Sequence, residues 1–221
     1  MATTVVHKND LPFFGAQPLL SIASQTSFAA LIFELLSRQP PQPSQLRLFE
    51  TILNISIDHG PDAPSAAATI QAARSGKTIS ESVSAGISQI NDTHGGAIEP
   101  AMELFYQIDR EHLSVRDLVG QSLSQGRKIA GFGHRIYTID PRSQLLFKLA
   151  GEESLPDKFI RIARQVEREL SVVKGRPLPV NIDGSIAAIL CAFGWNPRLG
   201  KAVFIIARTP GLCGQFLNAA G

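Results

Sequence analysis

From Ser27 to the end, the chain is written in helix starts and stops. Phe28, Leu31, Ile32, Leu35 and Leu36 recur at the spacing of one helical face, and Pro40-Pro41 ends that run. Ser44 is placed to cap the next segment, whose apolar side carries Leu48, Phe49, Ile52 and Leu53. Pro64 suits the first turn of a helix over residues 65–75, stopped by Gly76. Thr78 with Glu81 spells a capping box ahead of Val83, Ile87 and Ile90. Ser114 opens a segment closed by Gly126. Pro156 opens a long one that turns Phe159, Ile162, Val166, Leu170 and Val173 inward and closes near Gly175. Asn196-Pro197 reads as cap and first turn of a segment reaching Arg208. Alternation with a period of two is scarce, so the chain is expected to be mainly α with at most short strands.

A length of 221 residues, 44% of them hydrophobic, is enough to bury a proper core. The net charge of +2, with basic residues dispersed, excludes a dedicated nucleic-acid or anionic-membrane surface. No apolar stretch approaches the roughly 20 residues that span a bilayer, and the opening lacks a basic region followed by an apolar core. Cys191 and Cys213 are too few for a disulfide framework and read as reduced thiols. A soluble, cytoplasmic protein is the expectation, without nucleic-acid or membrane partners. No repeat or interdomain linker interrupts it.

The polar, irregular segments carry the candidate chemistry. Three histidines sit beside glycine: His59 in Asp58-His59-Gly60-Pro61, His94 in His94-Gly95-Gly96, and His134 in Gly131-Phe132-Gly133-His134-Arg135. An imidazole exchanges protons near neutral pH, and a neighbouring glycine lets a ligand or backbone come close. Asp183, in Asn181-Ile182-Asp183-Gly184, and the arginines Arg142 and Arg208 complete a set suited to carboxylates and proton transfer. Singly, each has a plainer reading. A glycine-flanked histidine can merely brace a loop, Asp183 can cap the helix before Ile186 and Leu190, and Arg208 can be a solvated helix-end cation. Gly131-Phe132-Gly133 fails as a dinucleotide fingerprint because Ile136 fills the third glycine position. The histidines form no local ligand pair and neither cysteine neighbours them, so no metal site is expected.

In order, these segments resemble the citrate synthase superfamily. Gly-Phe-Gly-His-Arg-Ile-Tyr followed by Asp140-Pro141-Arg142 is similar to its signature. The segments from Asp58 to Ser65 and from His94 to Glu99 resemble its two other histidine loops. Asn181 to Gly184 resembles the aspartate segment, and Ala207-Arg208-Thr209-Pro210-Gly211 the late arginine. The likeness covers roughly Ser27 to Gly221. Asp-His-Gly-Pro and the short interval from His134 to Arg142 lean towards the citryl-CoA lyase branch, including the lyase module of ATP-citrate lyase. The first twenty-odd residues do not resemble the family's usual opening. The sequence stops at Gly221 without the basic C-terminal arm of full citrate synthases, which favours a lyase over a synthase.

The resemblance implies a mainly α, two-lobed fold, with residues 1–93 plus 190–221 as the large lobe and 94–189 as the small one. It implies retro-aldol cleavage of citryl-CoA to acetyl-CoA and oxaloacetate. The alternatives are a short citrate or 2-methylcitrate synthase, or a non-catalytic acyl-CoA-binding subunit. His94 would donate to the enolate oxygen, Asp183 would exchange the carbon-bound proton, and His134 would handle the substrate hydroxyl. His59, Arg142 and Arg208 would hold carboxylates. Gly131, Phe132, Gly133 and Arg135 would meet the coenzyme A portion, with Lys128 as a further phosphate contact. A coenzyme A thioester is implied as substrate, with no permanently bound cofactor. A homodimer or larger assembly is implied too, through helices around residues 65–90 and near the C-terminus.

Overall fold

The computed structural model describes residues 3–91, 94–111, 114–134 and 137–220; Arg135 lies outside them. The chain divides into two compact units, residues 1–51 and 52–221.

In the first unit, β1 (Val5–Lys8), β2 (Leu11–Phe14) and β3 (Gln17–Pro18) form an antiparallel meander. Val5 pairs with Phe14 and Phe13 with Pro18. Asn9 and Asp10 join β1 to β2 at φ 48° and 61°, the doubly positive backbone that a two-residue hairpin needs and that these residue types tolerate. Helix α1 (Leu19–Ile22) and α2 (Phe28–Ser37) follow; the Ser27 hydroxyl caps α2 by accepting the Ala30 N–H. Arg38, in the left-handed region at φ 68°, ends α2 before Pro40 is reached. Helix α3 (Pro43–Ser56) starts two residues earlier than a cap at Ser44 would set it. Pro43 takes the first turn, where its missing N–H costs nothing, so Ser44 lies inside the helix instead of capping it. Leu48 and Phe49 are fully buried, and the Phe33 ring meets Phe49 edge-on.

The second unit holds the last turn of α3 and eight further helices among the described residues: α4 (Pro64–Arg74), α5 (Ile79–Ile87), α6 (Ile98–Glu111), α7 (Val115–Ser124), α8 (Pro141–Glu152), α9 (Lys158–Lys174), α10 (Ile182–Ala192) and α11 (Arg198–Ala220). Both halves of the Thr78–Glu81 capping box form at the start of α5. Two apolar clusters among the described residues help to organise this unit. Ala63, Ala66, Val83 and Leu212 draw α4, α5 and α11 together. Ile108, Val115, Val119, Val166 and Leu170 do the same for α6, α7 and α9.

Helix α10 is buried on every side from Gly184 to Cys191, as befits a helix that is apolar all round, and it packs against α6, α8 and α9. Helix α11 overruns its expected end. Pro210 lies inside it, and the helix continues because Leu212, fully buried, still has a core to join. Among the described residues no helix is long and apolar enough to cross a membrane.

Candidate active site

Arg142 is the hub. Its Nη1 approaches His59 Nδ1 at 3.5 Å and its Nη2 approaches His134 Nε2 at 3.4 Å, so residues far apart in sequence meet at one guanidinium. The guanidinium is held from behind by Asp140. The carboxylate accepts from Arg142 Nε at 3.0 Å and Nη2 at 2.8 Å, a two-pronged pairing that fixes the plane of the fork. Asp140 is the N-cap of α8, accepting the Arg142 N–H, and it also accepts the Ile182 N–H at the start of α10. One carboxylate, 1% exposed, thus aims Arg142 and ties the α8 and α10 N-termini together. Burial alone would raise the Asp140 carboxyl, and its bonds to Arg142 outweigh that, leaving it below the usual carboxylate range.

His134 packs its ring on Tyr137 at 4.5 Å, and its Nδ1 accepts the Tyr137 N–H at 3.2 Å. A neutral imidazole accepts at one nitrogen only, so the Tyr137 N–H at Nδ1 and the Arg142 guanidinium at Nε2 compete for its single lone pair. Burial, aided by Arg142 and opposed by Asp140, lowers the His134 pKa from its ordinary value. His59, exposed, is lowered by burial of part of its ring and by Arg142, Arg208 and His134.

His94 sits differently. The Ser65 N–H, in the first turn of α4, points at His94 Nε2 from 3.4 Å, and the Ser65 hydroxyl is 2.9 Å from the same atom. A backbone N–H can only donate, so Nε2 is the lone-pair nitrogen and Nδ1 keeps the hydrogen. Burial, then Arg208 and His59, pull its pKa down to about 4, which leaves the ring neutral at pH 7. Gly95 is needed beside it, since any side chain there would run into the Phe204 ring.

Phe204 also lies under Arg208, whose guanidinium carbon is 4.8 Å from the ring centre. Arg208 is 4% exposed, and its Nε donates to the Ser56 carbonyl at 2.8 Å. Its Nη1 is buried without a hydrogen-bond partner. Burial lowers its pKa, while Asp58 and Asp183 work the other way. Far from being a solvated helix-end cation, it is a buried charge in mid-helix.

Asp183 is not the cap of α10. Asn181 is, accepting the N–H groups of both Asp183 and Gly184. That leaves the Asp183 carboxylate free of capping duty in the first turn. Part of the residue reaches solvent, yet protein surrounds the carboxyl, and burial pushes its pKa up to about 6 against the pull of Arg142 and Arg208. Such a carboxyl can act as acid or base near neutrality.

The glycine segment supports this arrangement from the side. Gly133 N–H donates to Pro179 O, Asn181 N–H to Gly131 O, and the Asn181 amide to Gly133 O. A side chain at Gly131 would strike Gly184, so the glycines let this loop lie directly on the start of α10. Beside Phe132 opens a pocket of about 390 Å³ with an apolar floor of Leu123, Ile129, Leu170 and Leu178. Arg127, Lys128, Lys174 and Arg176 also line it. Lys174 and Arg176 escape sequence reasoning because nothing local marks two cations at a helix end as partners of a distant loop. Ser65 and Asp140 escape it for the same reason: their partners His94 and Ile182 lie far along the chain.

Comparisons with known proteins give the family and the fold. The family described as "Citrate synthase, C-terminal domain" matches residues 1–220, so the likeness reaches through the opening residues that the motifs leave out. Citryl-CoA lyase from Hydrogenobacter thermophilus superposes with a TM-score of 0.93 at 33% identity, covering 100% of this chain and 86% of that one. ATP citrate lyase of Methanosaeta concilii, solved with (3S)-citryl-CoA, gives a TM-score of 0.89 at 25% identity, covering 99% of this chain and 38% of the other. A probable ATP-citrate synthase of Dictyostelium discoideum is 33% identical over 196 residues, which are 81% of this chain and 31% of the relative. The chain therefore spans about a third of that curated relative's length. With that family model matching residues 1–220, the chain belongs to the citrate synthase family.

Proposed function

We propose that this chain cleaves citryl-CoA to acetyl-CoA and oxaloacetate. The observation that carries the reading is the trio of differently prepared groups: a neutral His94 with its hydrogen on Nδ1, His134 gripped between Tyr137 and Arg142, and an uncapped Asp183 with a pKa of about 6.

In cleavage, His134 takes the proton of the tertiary hydroxyl as that oxygen becomes a carbonyl. The bond between the carbinol carbon and the thioester methylene breaks, and its electron pair enters the thioester as an enolate. The His94 Nδ1–H donates to the enolate oxygen from a ring already fixed in orientation, so no reorganisation accompanies the charge. Asp183 then gives its proton to the methylene carbon, making the methyl group of acetyl-CoA. Solvent returns a proton to Asp183 and removes one from His134, which closes the cycle. His59, Arg142 and Arg208 hold the carboxylates, and Arg142 does so with a fork that Asp140 has already oriented.

The pocket beside Phe132 suits the coenzyme A portion: an apolar floor for a base and four cations for phosphates. Phe132 lines it, and Gly131, Gly133 and Arg135 belong to the same strip of sequence. The lobes are residues 1–93 plus 190–221 and residues 94–189, closing on substrate, and one apolar cluster of the described residues falls within each. The cysteines are free, which favours a reducing, cytoplasmic setting, and the working form is a homodimer or larger assembly, to be read by light scattering.

Purified protein given citryl-CoA should yield oxaloacetate and acetyl-CoA in equal amounts, measured by coupled malate dehydrogenase and by chromatography. Citrate with free coenzyme A as the main products would instead mark a hydrolysing synthase.

A further inference from the structure

One run of three residues, Ser56-Ile57-Asp58, is fastened to α11 at three successive points. Ser56 O accepts from Arg208 Nε at 2.8 Å. Ile57 O lies so close to Gly211 that any side chain at 211 would collide with it. Asp58 Oδ2 accepts from Gln215 Nε2 at 2.9 Å and from the Gly60 N–H at 3.2 Å. Residues 208, 211 and 215 fall at the three-to-four spacing of a single helical face, so the contacts form one seam. The run leads directly into His59. The seam therefore ties the loop bearing one proposed carboxylate ligand to the helix bearing another. Inside it, Asp58 Oδ1 and Arg208 Nη1 are both buried without hydrogen-bond partners. A buried donor and a buried acceptor are held there at some cost, and hydrogen bonds elsewhere on the same side chains must fix where they sit.

We propose that Asp58 and Gln215 are positioning residues: their hydrogen bond closes a clamp that sets His59 and Arg208 at the spacing a substrate carboxylate requires. The assignment rests on the proposed role of Arg208 and His59 in holding carboxylates, and it adds two residues that do not touch substrate. Asp58 is also the foremost negative charge opposing the burial of Arg208, so the clamp steadies the cation it aligns.

The test is a swap of partners. Gln215→Glu sets a carboxylate against Asp58 in place of an amide donor, and Asp58→Asn in the same chain restores a donor and an acceptor with their ends exchanged. Losing a hydrogen bond to a charged group should raise the KM for citryl-CoA about 10-fold in Gln215→Glu, with kcat changed less, and the double variant should return KM to within about 3-fold of wild type. Oxaloacetate binding by calorimetry should follow the same pattern. Folding is followed by melting temperature, and Gln215→Leu, which removes the donor without adding charge, replaces Gln215→Glu where the latter is not recovered folded. Its KM should rise in the same way. A KM that stays at the wild-type value in the folded single variants, or a folded double variant that recovers nothing, overturns the clamp. Failure of the functional reading looks different: the wild-type protein would turn over no citryl-CoA, whereas the swap would still be read in oxaloacetate affinity.

Discussion

Two arginines reach the same site from opposite states of preparation. At the start of α8, Arg142 is partly open to solvent and paired to a buried carboxylate, with side-chain exposures of 22% for Arg142 and 0% for Asp140. In the interior of α11, Arg208 is buried, leans on Phe204 and Ser56 O, and keeps one Nη1 donor unmatched. Arg142 has its charge answered and its direction fixed by Asp140, and it approaches two histidines. Arg208 has its charge opposed by Asp58 and Asp183 without an ion pair among the described residues, in a buried setting. The first is built for orientation and the second for attraction, since an electrostatic contact gains strength where water is excluded.

Substitutions should separate the two. The largest effect is expected from Asp183→Asn, which faces both arginines: turnover should fall by about 10²- to 10⁴-fold, the usual worth of a positioned proton carrier, while the protein melts no lower than wild type at pH 7. The stability half has a stated sign. A carboxyl raised to about 6 is penalised when ionised, so removing its charge relieves the fold above that pH. Arg208→Leu should raise the KM for citryl-CoA about 10- to 100-fold with little loss of stability, because the fold is rid of an unmatched buried donor. Arg142→Leu should do the reverse in emphasis. Stranding the buried Asp140 carboxylate should cost about 3–5 kcal/mol in denaturant unfolding, beyond its effect on KM. Equal stability losses in the two variants would erase the contrast.

A smaller effect concerns pH. His94 is held neutral with a pKa of about 4, against about 6.5 in the unfolded chain. The unfolded state therefore binds more protons between those values, and the stability tied to His94 is full above about pH 6.5 and lost as pH falls towards 4. Melting temperature should drop on going from pH 7 to 5, and the drop should be shallower in His94→Gln. The smallest change lies away from the site. Thr78→Ala should cost about 1 kcal/mol by opening the capping box of α5, with kcat and KM unchanged.

What could be read from the sequence divides along the same line between local and distant causes. The starts of α2, α4, α5 and α7 are legible because a cap or a first-turn proline acts on residues three or four away. The meander β1–β3 is less so, being short and largely exposed, with Asn9-Asp10 and Gly15 as its turn signals. Pro210 reads as an ending, yet α11 passes through it because packing on α4 and α5 outweighs one missing hydrogen bond. In the site, the histidines, Asp183 and the arginines stand out through their motifs. Which of Asn181 and Asp183 caps α10 does not, as both residue types can do it and only the folded backbone decides. Asp140 is visible as half of an Asp-Pro turn, but its hold on Ile182 is a contact between segments that the sequence keeps far apart. Ser65 behind His94 is hidden in the same way.

The central claim is that Asp183 delivers a proton to carbon after the carbon–carbon bond has broken. Cleavage of citryl-CoA in deuterium oxide, with the acetyl-CoA followed by proton NMR and mass spectrometry, reads that step directly. The wild-type protein should place one deuterium in the acetyl methyl group, and Asp183→Asn should suppress formation of that product. Acetyl-CoA that forms at the wild-type rate in Asp183→Asn, or a methyl group that carries no deuterium, would contradict the account.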